Sequence, residues 1–192
     1  MNSAGLIFLS MLLLVLIYAV FTYNRLVGLK HGVAKAWSNI DVLLKQRHDE
    51  LPKLVEACRQ YMKFEQDTLE KVIQARSRVS QAREHHDIKA LGEAEGALRM
   101  GLEHLFAVAE SYPELKANET FSHLQARLTG LEEAIADRRE FYNDSVNLNN
   151  VAIERFPDVI VAQLTGFGPY KLLKFASAET ADVDITTLFK RQ

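Results

Sequence analysis

The chain has 192 residues, 48% hydrophobic and 25% charged, with 9 Gly and 4 Pro; that length holds one membrane anchor and a single core. The composition excludes a disordered, collagen-like or turn-dense all-β protein. A net charge of −2, from 23 basic and 25 acidic residues, lacks the basic excess on which phosphate binding draws, so no nucleic-acid partner is expected.

No charged side chain occurs from Asn2 to Asn24, and Ala4 to Tyr23 is almost wholly apolar or aromatic, interrupted only by Ser10 and Thr22. At about 1.5 Å per residue this stretch reaches about 30 Å, the thickness of a bilayer's hydrocarbon core. Twelve of its residues are Leu, Ile, Val or Phe, which contribute roughly −4 to −7 kcal/mol to insertion. A signal peptide would have a basic start and a small-residue cleavage site; neither is present, so residues 1–24 read as an uncleaved transmembrane anchor. Arg25, Lys30 and Lys35 follow the span before the first acid, Asp41, and this bias predicts a cytoplasmic C-terminal domain.

After the span the apolar period is helical. One heptad phase runs through Trp37, Leu44, Leu51, Cys58, Val72 and Val79, with polar breaks near Arg47 and Glu65. Pro52 lies within it, which marks either a kink in a helix that reverses near Met62 to Gln66 or a new helix with Asp49 as its cap. A second seam, Ile88, Leu91, Ala94, Leu98, Leu102, Leu105, Ala109 and Tyr112, stops at Pro113. Asn118 is suited to cap a third seam, from Phe121 through Leu124, Leu128, Leu131, Ile135 and Tyr142 to about Asn150. Trp37, Leu98, Leu128 and Leu131 are expected core residues. The region 25–156 therefore reads as all-α, a bundle of antiparallel helices with short connections.

Phe156-Pro157 breaks the last long helix, and residues 157–175 form an amphipathic segment. In it Ile160, Val161 and Leu164 are apolar, Phe167, Tyr170 and Phe175 are aromatic, and Lys171 and Lys174 are basic. Two placements fit: contact with lipid headgroups, or packing on the base of the bundle. Residues 176–192 are a polar tail, with a short strand or clip conceivable at Val183-Asp184-Ile185.

Several blocks carry a family resemblance. Tyr23-Asn24-Arg25-Leu26-Val27, Ala36-Trp37-Ser38-Asn39-Ile40-Asp41-Val42, Leu44-Lys45-Gln46-Arg47-His48 with Leu51-Pro52-Lys53-Leu54-Val55, Ala75-Arg76, Val108 to Asn118, Tyr142-Asn143 and Phe156-Pro157 together resemble the LemA family of bacterial membrane proteins over roughly Tyr23 to Phe175. The chain has Phe64 before Glu65 where many members have His. The resemblance implies an antiparallel four-helix bundle with long helices behind a single-pass anchor in a bacterial inner membrane. It brings no established enzymatic activity and supplies no catalytic residue.

The letters agree with that expectation. Among the histidines at 31, 48, 85, 86, 104 and 123 there is no His-Glu-x-x-His pair, and no Glu stands three residues before any His, so zincin and di-iron signatures are absent. Glu84-His85-His86-Asp87 reads as a solvated inter-helix loop, and Glu119 with His123 as a surface pair. No Walker A loop, G-x-S-x-G or G-x-G-x-x-G occurs. Cys58, on the seam, reads as a buried small apolar group. No catalytic residue, cofactor or metal is expected.

The expected function is that of a non-enzymatic, membrane-tethered assembly or adaptor protein whose partners are the lipid bilayer and either further copies of itself or other membrane proteins. A membrane-bound hydrolase using an acidic pair at Glu132 or Glu133 is the alternative.

Overall fold

The computed structural model describes residues 3–175; the clip expected at Val183–Ile185 and the tail 176–192 lie outside the described residues. Among the described residues there are six helices and no strand: α1 (Ser3–Tyr61), α2 (Gln66–Glu84), α3 (Ile88–Ala109), α4 (Pro113–Lys116), α5 (Glu119–Glu154) and α6 (Asp158–Thr165).

Of the two readings of Pro52, the continuous helix holds: α1 passes through it and ends at Tyr61. Proline has no N–H to give to the carbonyl four residues back, which leaves His48 C=O without a helical donor. Arg76 of α2 supplies it, its Nε donating to that oxygen at 3.0 Å. The neighbouring Nη2 donates to His48 Nε2 at 2.6 Å, so the ring is neutral and carries its proton on Nδ1. Burial and the Arg76 charge accordingly hold the His48 pKa below its ordinary value.

The helix ends have local causes. His86 adopts the left-handed conformation, φ 52°, which lets Asp87 N–H reach back to Ala82 C=O at 3.0 Å and close α2. Asp87 Oδ1 then accepts from Lys89 N and Ala90 N and opens α3. Asn118 Oδ1 accepts from Phe121 N at 3.1 Å at the start of α5. Two details correct the expectations: the stretch after Pro113 makes a single helical turn, α4, and α5 runs four residues beyond Asn150, to Glu154.

The fold divides into two compact units. One comprises the described part of Met1–Gln46 with Glu133–Leu172. Here the apolar start of α1 is exposed along its length, Phe8 by 70% and Phe21 by 72%, and α1 is long and apolar enough to cross a membrane. Beyond it, Leu26 packs with Ala152, Ile153 and Ala162, joined by Val161 and Phe167. Trp37, an expected core residue, is instead half-buried, because the inner face of α1 here is that of Ala36 and Ile40, and it meets buried Tyr142 edge-on at 5.7 Å.

After α6 the chain runs extended along α5, where its backbone has no sheet to join and side chains of α5 take that role. Asn150 accepts from Tyr170 N and donates to Tyr170 C=O, both at 2.9 Å. Asn149 donates to Gly168 C=O, and Tyr142 O–H donates to Lys171 C=O at 3.0 Å. Of the two placements open for residues 157–175, packing on the helices holds for residues 168–171. They run from the level of Leu26 back toward that of Trp37, away from the apolar start of α1.

The second unit comprises Arg47–Glu132 and the described residues from Leu173. Leu98, Leu128 and Leu131 are buried, as expected, beside Leu51, Leu102 and Phe121. Gly92 on α3 is required by close approach: a Cβ there would lie 2.0 Å from Lys174 C=O. Gly92→Ala should therefore push the segment around buried Leu173 off α3. Limited trypsin digestion, with faster cleavage at Lys174 in the variant, checks this; an unchanged cleavage rate would mean that the segment is not seated on Gly92.

Candidate functional site

Two polar constellations stand out. In the unit of Arg47–Glu132, the Arg47 and Glu95 side chains are each 1% exposed, and Arg47 donates from Nη2 to Glu95 and from Nη1 to Glu132. Burial acts against the Arg47 charge, but the two carboxylates outweigh it and hold its pKa above the ordinary value. Burial, aided by Glu132, lifts the Glu95 carboxyl above the usual carboxylate range despite Arg47. Glu50, also buried, accepts from Arg127 and Lys53, each at 3.1 Å. The position that breaks the heptad seam is thus an internal ion network joining α1, α3 and α5.

The other constellation lies where α6 meets α1. Asp158, 3% exposed, accepts from the Tyr18 hydroxyl at 2.6 Å and the Thr22 hydroxyl at 3.2 Å, and it pairs with Arg25. Tyr18, Thr22 and Arg25 are spaced i, i+4, i+7, one face of a helix. Three donors on one carboxylate favour its charged form. The Tyr18 hydrogen bond, with Arg25 and Thr22, holds the Asp158 pKa below its ordinary value against the opposing effect of burial.

The other sequence candidates fall outside these clusters. Glu132 is committed to Arg47 and Glu133 is exposed, so they do not form an acid pair around a pocket. Glu84, His85, His86 and Asp87 are exposed in the α2–α3 connection, as are Glu119 and His123 at the start of α5. The Tyr112–Asn118 block closes loops: Tyr112 O–H donates to Glu65 at 3.4 Å, and Asn118 Nδ2 donates to the Tyr61 hydroxyl at 3.2 Å. Among the described residues no group of three or more His, Cys, Asp or Glu is gathered as a ligand set, and no buried side-chain N or O lacks a partner.

Cys58 is fully buried, and burial pushes its thiol up to about 12. It should stay unmodified by a maleimide at pH 8 in the folded chain and react only on unfolding. Rapid labelling of native protein, read by intact mass, would contradict its burial.

The LemA family profile matches residues 36–186. The chain belongs to the LemA family. Protein LemA of Metamycoplasma hominis is 26% identical over 170 residues, covering 86% of this chain and 74% of that protein. The magnetosome protein MamQ of Magnetospirillum gryphiswaldense is 38% identical over 79 residues, 41% of this chain and 29% of MamQ. MamQ 2 of Paramagnetospirillum magneticum matches at the same identity and coverage. The chain thus spans less than a third of the length of these magnetosome relatives. Within the LemA family blocks, Arg47 and Arg76 have structural partners that spacing alone did not reveal.

Proposed function

We propose that this LemA-family chain is a non-enzymatic assembly or adaptor protein: an antiparallel four-helix bundle of α1, α2, α3 and α5, tethered in the inner membrane by the start of α1, with its C-terminal domain in the cytoplasm. The observation that carries this reading is a stripe on α5. Phe141, Leu148 and Val151 are 51, 62 and 59% exposed, and their spacing keeps them within one face of the helix. Large apolar side chains aligned on an exposed face favour protein contact. A shared membrane plane raises the effective concentration of neighbouring chains, which favours a second copy as the occupant. The commitment of Glu132 to Arg47 argues against the hydrolase alternative.

A photo-crosslinking amino acid at Leu148 of the full chain, activated in native membranes, tests the reading. An adduct of twice the chain's mass supports self-assembly, and an adduct with another membrane protein supports the adaptor form. The absence of any protein adduct from Leu148 and from Phe141 would reject the proposal.

A further inference from the structure

The contacts of Asp158 have a geometric consequence for α6. Tyr18 lies five residues before Tyr23, the end of the apolar stretch, which is about 7 Å inside the span at about 1.5 Å per residue. Arg25 lies just beyond that end. One carboxylate bonded to both fixes the start of α6 across the boundary between acyl chains and headgroups. Surface-seeking helices rest about 5–10 Å into this boundary.

The composition of α6 suits that depth. Asp158 is its only ionisable side chain, and three donors satisfy it. Ala162 is buried and Val161 packs on the Leu26 cluster, so of the apolar residues expected on one face, Val161 turns inward. Ile160 and Leu164, four residues apart on one face, turn outward with 50% and 82% exposure, and Phe156 just before the helix is 78% exposed. On α1 the neighbours of the clasp, Ile17, Val20 and Phe21, are 43, 54 and 72% exposed, the surface that a span presents to lipid.

We infer that α6 is a membrane-interface helix: Asp158 clasps it to the span, and Ile160, Leu164 and Phe156 insert among the lipid chains at the headgroup boundary. The protein then meets the bilayer through two elements, with α6 as a foot beside the span that limits its rotation and tilt. The backbone after Gly166 rises along α5, so lipid contact is confined to α6 and its flanks.

The test uses the full chain reconstituted in phosphatidylcholine and phosphatidylglycerol vesicles, in a Cys58→Ala background, with a fluorophore on a cysteine at Leu164 and, separately, at exposed Lys89. Spin-labelled lipids carrying the quencher high on the acyl chain should reduce emission at Leu164 more than at Lys89, and aqueous iodide should do the reverse. Asp158→Asn and, independently, Tyr18→Phe should shift the Leu164 probe toward iodide access. Leu164 open to iodide in the unaltered chain would overturn the inference, as would a probe shielded from both quenchers, which would mean that protein covers the face. Lipid quenching unchanged in both variants would also overturn it, because the clasp would then not be what holds the helix down.

Discussion

Arg47→Met should lower the stability of the folded chain by about 3–5 kcal/mol, the range for removing one partner of a buried ion pair. Glu95 would be left 1% exposed, beside Glu132 and with no cation. The loss should depend on pH in a defined direction. Burial already raises the Glu95 pKa in the folded state, and without Arg47 it rises further. A carboxyl whose folded pKa exceeds its unfolded value destabilises at high pH, and the penalty shrinks as pH falls through the folded pKa toward the unfolded one. The deficit of Arg47→Met should therefore be smaller at acid than at neutral pH, and adding Glu95→Leu should recover much of it. Chemical unfolding of the detergent-solubilised chain, followed by helical circular dichroism, measures each quantity. A loss below about 1 kcal/mol, the range of exposed ion pairs, would mean that the network is solvated.

The second large effect should come from Arg76→Ala, at about 1–3 kcal/mol, the penalty of leaving the part-buried His48 carbonyl without a donor. The cause lies on the facing helix: Pro52 has no N–H, so His48 C=O depends on Arg76 Nε. With Pro52→Ala, an intrahelical N–H becomes available to that carbonyl, and Arg76→Ala should then cost less. A double-mutant cycle reads the coupling directly. Strictly additive changes would separate Arg76 from the proline and leave its contact with His48 Nε2 as its main role.

Helix periods, caps and stops were legible because each is a local property. The seam from Leu44 to Val79 is buried along its apolar positions, Asn118 caps α5, and Phe156-Pro157 separates α5 from α6. What the letters concealed is pairing between distant segments. Arg47 reads as a polar interruption because its partners lie 48 and 85 residues away. The one available hint was Glu95 on the stripe of Leu91 and Leu98. Asp158 is 140 residues from Tyr18, and the i, i+4, i+7 spacing of Tyr18, Thr22 and Arg25 has meaning only once a carboxylate lies opposite. The segment after α6 was ambiguous for a related reason: an extended stretch held by Asn149, Asn150 and Tyr142 side chains has no periodicity of its own.

The clasp also bears on how a water-soluble version of this protein should be cut. Deleting residues 2–24 removes Tyr18 and Thr22, two of the three donors to Asp158, and leaves Arg25 at a new chain terminus. Such a fragment would show a frayed base, with α6 free to swing and an apolar pair, Ile160 and Leu164, ready to glue molecules together. Oligomers seen in that preparation would then mix contacts created by the excision with native ones. Starting the fragment at Ile17, with polar replacements at the exposed Val20 and Phe21, keeps all three donors and makes its oligomeric state interpretable.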